Sequence, residues 1–337
     1  MARHDLTVRG AGIMGLCVAW EALRRGLRVQ VIEAVAIGAG ASGGLVGALA
    51  PHAPEQWTAG KAFQLQALLM AEAHWAEVAA VSGLSPGYAR TGRVQPVTDE
   101  ALARTREQAA AELWQGRAEW RVIAAGGEFQ PLSPSGLLIH DTLTARVSPR
   151  RALASLVAAC QARGAVVTVG EASDEGAVVW ATGHRGLEAL TAQMGRKMGQ
   201  GVKGQALSLH LPGVAHLPQV YADGLYIVPH EDGSVAVGST SENTYDHEDT
   251  DTQADDLLAR ARALVPALRD APEITRWAGI RPRAQSRQPL IGAWPGRPGH
   301  FIANGGFKIG FAVAPLCARL LVDAIQGQDA IPEAFRP

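Results

Sequence analysis

With 337 residues and a formal net charge of -1, the chain has room for one large or two medium domains, and no charge excess that would favour nucleic acid or an anionic membrane as partner. It has no run long and apolar enough to span a bilayer, no repeat and no low-complexity tract. Its 3 cysteines, Cys17, Cys160 and Cys317, lie far apart in apolar helical patterns, which fits buried thiols in a reducing, cytoplasmic compartment rather than disulfides or a metal site.

The first organised stretch is Thr7 to Glu33. A short apolar strand ends at Arg9. Gly10, Gly12 and Gly15 then turn the chain into a helix that runs to about Arg25, Gly26 closes it, and Leu27 to Ile32 reads as a second strand ending in the acid Glu33. Strand, glycine turn, helix, strand and carboxylate in this order make up the dinucleotide-binding fingerprint. The first glycine permits the tight turn, the second lets a pyrophosphate approach the backbone, and the third lets helix and strand pack closely. The helix N-terminus presents N–H groups and partial positive charge to phosphates. Glu33 suits a ribose diol and disfavours a 2′-phosphate.

The segment after Glu33 is small and flexible until Pro51, as suits close approach of backbone to a flat ligand, and Leu45, Val46 and Leu49 argue against a freely solvated loop. A helix is predicted from about Lys61 to Val81, ended by Gly83 and Pro86. Tyr88 to Val97 reads as a strand pair or bent strand, and Asp99 caps a polar helix to about Gln115. Residues 116–145 read as strands and loops. Ser148-Pro149 starts a further helix, followed by strands at Ala165–Val169 and Gly176–Trp180, the latter running into a small-residue turn at Ala181-Thr-Gly183. From Gly204 the pattern changes to strands at Gln205–Leu209, Tyr221–Pro229 and Val235–Ser239, with Glu231-Asp232-Gly233 as a hairpin connection. A helix at Thr252–Val265, short strands at Pro289–Gly292 and His300–Ala303, and a glycine turn leading into a helix from Phe311 to Gln326 complete the chain.

The predicted fold is α/β: a Rossmann-like, glutathione-reductase-type nucleotide-binding domain assembled from residues 1–50, 145–203 and 276–337. It is interleaved with an α+β substrate domain on an antiparallel sheet, residues 51–144 and 204–275.

Several motifs follow the fingerprint in order: Ala41-Ser42, Gly47, Pro51, Lys203-Gly204-Gln205, Tyr226-Ile-Val-Pro229, Val237-Gly-Ser-Thr240, Gly279-Ile-Arg-Pro282 and Gly306-Phe-Lys-Ile-Gly310. In order and spacing the chain resembles, over nearly its whole length, the D-amino acid oxidase and glycine oxidase superfamily of FAD-dependent amine oxidoreductases, which includes sarcosine oxidases. The resemblance implies FAD rather than NAD. It implies that Gly10, Gly12, Ile13, Met14 and Gly15 hold the pyrophosphate, that Glu33 holds the adenosine ribose, and that Ala41 and Ser42 lie along the cofactor. Gly47, Ala48 and Leu49 would pass the isoalloxazine ring, Ala181 and Gly183 would pack under the cofactor, and Gly305, Gly306, Phe307, Lys308, Ile309 and Gly310 would wrap the pyrimidine end of the flavin.

Arg281 is the first candidate for the substrate site. It sits in the apolar stretch Trp277-Ala-Gly-Ile-Arg-Pro282, where a stray charge is costly, and in glycine-oxidase-like proteins the matching arginine grips the substrate carboxylate. Lys308 stands where sarcosine-oxidase-like members carry a lysine that helps bind the substrate acid, and Tyr226 matches a pocket tyrosine. His52 follows the flexible loop. His230 and Arg287 depart from the residues common among relatives, an arginine and an aspartate respectively. The implied reaction needs no metal. A neutral small-molecule amine or amino acid is held by Arg281 with its α-carbon near flavin N5, passes a hydride, and leaves as an imine that water hydrolyses. Other readings stay open: a dehydrogenase with an acceptor other than O₂, the oxidase-like module of tRNA wobble-uridine modification, and a flavoprotein that turns nothing over.

Overall fold

The computed structural model describes residues 4–337. A six-stranded sheet carries the nucleotide-binding half, in the order Leu290–Ala293, His300–Asn304, Ala177–Trp180, Leu6–Arg9, Val29–Glu33, Val166–Val169. All neighbours are parallel except the edge strand Leu290–Ala293, which runs antiparallel to His300–Asn304. The central strands are buried on both faces, the pattern of a parallel sheet covered by helices. Chain order moves one way from Leu6–Arg9 through Val29–Glu33 to Val166–Val169, and the other way through Ala177–Trp180 to His300–Asn304. The topological switch therefore lies beside Leu6–Arg9, where ligands of such sheets bind.

The helix Ile13–Arg24 packs on the C-terminal helix Gly310–Ile325, and Arg25 is tied to Asp323 at 2.6 Å. Helix Ala59–Ser82 begins with Thr58 accepting from the Lys61 N–H and ends at Gly83 in the left-handed conformation, φ 70°. Helix Glu100–Trp114 is capped by Asp99, which accepts from the Leu102 N–H at 2.9 Å. Pro149 opens the helix Pro149–Ala162.

A second, eight-stranded sheet runs in the order Glu273–Ala284, Gly199–His210, Ser234–Gly238, Leu225–Pro229, Gln219–Ala222, Arg93–Pro96, Leu137–Asp141, Trp120–Ala124. It is antiparallel except where Gln219–Ala222 lies parallel to Arg93–Pro96. Helix Gln253–Leu264 covers it through Leu257 and Ala261 against Leu207, Ile227 and Val237. Two long strands, Gly199–His210 and Glu273–Ala284, pair over their whole length with Val202 opposite Arg281 and Gly204 opposite Gly279. The expected division points at 203/204 and 275/276 thus fall inside two continuous strands.

Two local expectations change. Tyr221–Pro229 is a hairpin rather than one strand: Asp223 and Gly224 both have positive φ, 47° and 81°, and join Gln219–Ala222 to Leu225–Pro229 as a tight turn. The turn at Ala181-Thr-Gly183 opens a further helix, Gly183–Met194, that buries Leu187 and Leu190 and stops at Gly195 in the left-handed region. Its apolar spacing, Leu187, Leu190 and Met194, carried the signal. Among the described residues no helix is long and apolar enough to cross a membrane. The three cysteines are buried free thiols.

Candidate active site

One cleft of about 1320 Å³ runs between the two sheets' residues, above the ~300–1,000 Å³ of drug-sized sites. It collects the C-terminal ends of four parallel strands: Arg9 and Gly10, Ile32 and Glu33, Trp180 and Ala181, Ala303 and Asn304. From the other sheet it takes Tyr221, Tyr226, Gly238, Ser239 and the run Trp277–Pro282.

The glycine turn has the shape that its sequence demands. Gly10 has φ 106°, and a Cβ on it would stand 2.5 Å from the Ala181 carbonyl oxygen. A Cβ on Gly15 would stand 2.0 Å from the carbonyl oxygen of Gly10. First-turn amides have no intrahelical acceptor. Here the Ile13 N–H donates to Ser42 Oγ at 3.0 Å, which pins the Ala41–Gly43 turn across the helix start. Glu33 accepts from the Ala11 N–H at 2.7 Å and from the Val35 N–H at 3.1 Å, so its carboxylate is held at the cleft edge. Asn304, which sequence reasoning missed, donates from Nδ2 to the Gly183 carbonyl and accepts from the Gly305 N–H, both at 2.8 Å, locking two strand ends together.

Of the residues expected at the cofactor, Gly10, Gly12, Ile13, Met14, Glu33, Ala41, Ser42, Gly47, Ala48, Ala181, Gly183, Gly306, Phe307, Lys308, Ile309 and Gly310 line the cleft. Gly15, Leu49 and Gly305 stand outside its lining. Gly15 lies beneath the turn, and Leu49 is fully buried in a two-residue strand paired with Ala145-Arg146.

Arg281, Lys308 and Tyr226 all line this one cleft. Arg281 is 7% exposed. It donates from Nη1 to Ser239 Oγ at 2.7 Å and from Nη2 to the carbonyls of Thr240 and Lys203, all neutral acceptors. Its Nε–H has no partner. Burial pushes its pKa down to about 10, so it stays charged at neutral pH. Gly204, opposite on the next strand, makes room for it: a Cβ there would stand 1.9 Å from Arg281 Nη2.

Phe307 has a left-handed φ of 42°, and three cations surround its ring: Arg281 and Arg283 at 5.6 Å and Lys308 at 5.7 Å from the centroid. Burial, then the like charges of Arg281 and Arg283, lower the Lys308 pKa. Burial raises the Tyr226 phenol, and Arg93 opposes that rise. His52 also lines the cleft, its Nδ1 against Gln64 Oε1 at 2.7 Å. His230 stands outside the lining. It is 4% exposed and pairs Nε2 with the Leu45 carbonyl at 3.0 Å. Burial, helped by Arg146, pushes its pKa down to about 4, so it is neutral and Nε2 carries the proton. Among the described residues no group of three or more His, Cys, Asp or Glu side chains could hold a metal ion.

These features fit FAD. The glycine turn leaves backbone where any side chain would collide, the cleft exceeds a drug-sized site, and its wall carries a buried arginine with an unpaired N–H.

Known proteins are similar to this chain over nearly its whole length. Glycine oxidase of Geobacillus kaustophilus is 27% identical over 367 aligned positions, covering 97% of this chain and 94% of that protein. Its crystal structure superposes with a TM-score of 0.83 at 24% identity, over 100% of this chain and 98% of that one. The structure of iminodiacetate oxidase from Chelativorans superposes with a TM-score of 0.85 at 24% identity, over 98% of each chain. The DAO family, described as FAD dependent oxidoreductase, matches residues 5–324. The chain therefore belongs to the DAO family of FAD-dependent oxidoreductases, with FAD as its cofactor.

Proposed function

We propose that the protein oxidises an amino acid or a related primary or secondary amine at the carbon bearing the nitrogen. The observation that supports this best is Arg281, a nearly buried guanidinium on the cleft wall with only neutral partners and two of its five N–H donors unspent. Such a cation asks for an anion, and its planar fork matches a carboxylate. Bound FAD supplies the hydride acceptor. The Gly10–Gly15 turn and the helix behind it would hold the pyrophosphate, Glu33 the ribose diol, and the Gly306–Gly310 backbone the pyrimidine edge.

The chain's own part is placement. Arg281 holds the substrate carboxylate, Lys308 adds a second positive charge at the same wall, and Tyr226 offers a hydroxyl. Fixing the acid end restrains the α-carbon, which is a proximity effect. No carboxylate or histidine of the cleft wall is needed as a base if the amine binds neutral. The oxidised substrate leaves as an imine, which water hydrolyses to a carbonyl compound and ammonia, or to a carbonyl compound and a smaller amine where the substrate is a secondary amine.

The test is anaerobic mixing of the yellow protein with a panel of amino acids and amines, followed by admission of air. Bleaching by an amino acid supports the reading, and a flavin that no amine reduces refutes it. Peroxide after air marks an oxidase, and recolouring only with an added acceptor marks a dehydrogenase.

A further inference from the structure

Arg93 carries no role in the reaction so far. It is 3% exposed and does not line the cleft, yet it hydrogen-bonds to two residues that do. Its Nη1 donates to the Tyr226 hydroxyl oxygen at 3.2 Å and its Nη2 to the Pro51 carbonyl at 3.2 Å. Its Nε donates to Asp141 Oδ2 at 2.8 Å, across the register pair Arg93–Asp141 of neighbouring strands. Asp141 is fully buried and accepts the Thr144 N–H on its other oxygen. The rings of Trp120 and Tyr221 each lie 5.6 Å from the guanidinium carbon and enclose it.

A phenol oxygen has one proton to give and lone pairs with which to accept, whereas a guanidinium only donates. The Arg93–Tyr226 contact therefore uses the phenol as an acceptor, and its proton points elsewhere. Among the described residues nothing accepts that proton, and the side chain lines the cleft. A structural ion pair between Arg93 and Asp141 would not by itself need the bonds to Tyr226 and Pro51.

We propose that Arg93 is a positioning residue: anchored by Asp141, it holds the Tyr226 phenol so that the hydroxyl proton is offered into the cleft to a carboxylate oxygen of the substrate. The proposal rests on the amino-acid reading above. Arg93 also fixes the Pro51 carbonyl, so the wall on that side has one acceptor fewer to repel an anion. The fork is what matters. Lysine would keep the charge but could not reach Asp141, Tyr226 and Pro51 together.

The test uses the FAD-loaded protein and glycolate, a glycine analogue with a hydroxyl in place of the amine, titrated by its perturbation of the flavin spectrum. Arg93→Lys and Tyr226→Phe should each weaken glycolate by about tenfold, the worth of one hydrogen bond to a charged group. The double variant should be no worse than either single one, because both remove the same contact. KM for the amino acid oxidised should rise in parallel, with kcat little changed and flavin content equal to wild type.

Additive losses, an unchanged glycolate affinity in Arg93→Lys, or no glycolate binding to the wild type would overturn the proposal. Should Arg93→Lys not fold, the paired Arg93→Met and Asp141→Asn substitutions remove charge and counter-charge together. Failure of that protein as well would make Arg93 a purely structural residue and end the proposal. If no amine bleaches the flavin, the oxidation reading fails by itself, and the glycolate cycle still decides the role of Arg93.

Discussion

The Gly10–Gly15 turn and the Arg281 wall are two halves of one cleft built on opposite plans. The turn works through backbone: 28 residues of contiguous chain, Leu6 to Glu33, form strand, turn, helix, strand and acid, and Gly10 and Gly15 are each required by a backbone carbonyl, that of Ala181 beside the neighbouring strand and that of Gly10 itself. The Arg281 wall works through side chains brought from separate strands. Arg281, Ser239 and Tyr226 come from three places in the eight-stranded sheet, and Lys308 comes from the turn before the last helix. The first plan tolerates almost any side chain that faces away from the ligand. The second depends on where a few long polar side chains are held, and so on the residues behind them.

Substitutions separate the two plans. The largest effect is expected at Gly15. In a helix interior alanine normally beats glycine by about 1 kcal/mol. A β-branched side chain here must displace the Gly10 carbonyl 2.0 Å from the new Cβ, with Val8 and Ala181 closing the other sides. Gly15→Val should cost more than about 4 kcal/mol and leave the protein without flavin, read from thermal unfolding and the absorbance spectrum. Arg281→Met comes next and should do the opposite. Flavin content stays full while KM for the amino acid rises about a hundredfold, two charge-assisted hydrogen bonds at about 1.5 kcal/mol each. A normal KM would remove Arg281 from the substrate site.

His230 sharpens the comparison, because it supports the Leu45 carbonyl of the cleft loop from behind. The unfolded chain takes up a proton on it near its ordinary value of 6.5, and the folded chain only near about 4. The unfolded state thus binds more protons between these values, so stability falls as pH drops through 6.5, by about 3 kcal/mol on reaching pH 4. His230→Gln keeps a donor for Leu45 and has no such proton, so the difference in stability between wild type and variant should shrink or reverse on acidification. Parallel pH profiles from denaturant unfolding would exclude His230 as the cause. The smallest effect is expected at Glu33→Gln, which keeps an acceptor oxygen for only one of the Ala11 and Val35 amides and loses the charge. The FAD dissociation constant should rise about tenfold, the loss of charge assistance on ribose hydrogen bonds, with KM for the amino acid unchanged.

Legibility followed chain distance. Helix ends were readable where a cap or a left-handed glycine marks them, as at Thr58, Asp99 and Gly83. The helix Gly183–Met194 was hidden because its start has no side-chain cap and follows a small-residue turn. The Asp223-Gly224 hairpin was hidden inside one long β-prone run, although that dipeptide is the stronger signal. Arg281 stood out because a charge in an apolar strand has to be explained. Arg93 and Asn304 did not, since nothing in their neighbours' sequence says that Tyr226, Pro51 or Gly183 will stand beside them.

By itself the sequence determined the dinucleotide turn, the acid that ends the second strand, and the change from parallel β/α units to a sheet of mostly antiparallel strands. These follow from local sterics and from the period of apolar residues, which act within a few residues of chain. Only the tertiary structure decided which cations stay unpaired, which phenol accepts from a buried guanidinium, and that Gly204 is small because the guanidinium of Arg281 lies against it. Those outcomes depend on hydrogen-bond partners and on contacts between strands far apart in the chain, and they are settled when the two sheets close on one another.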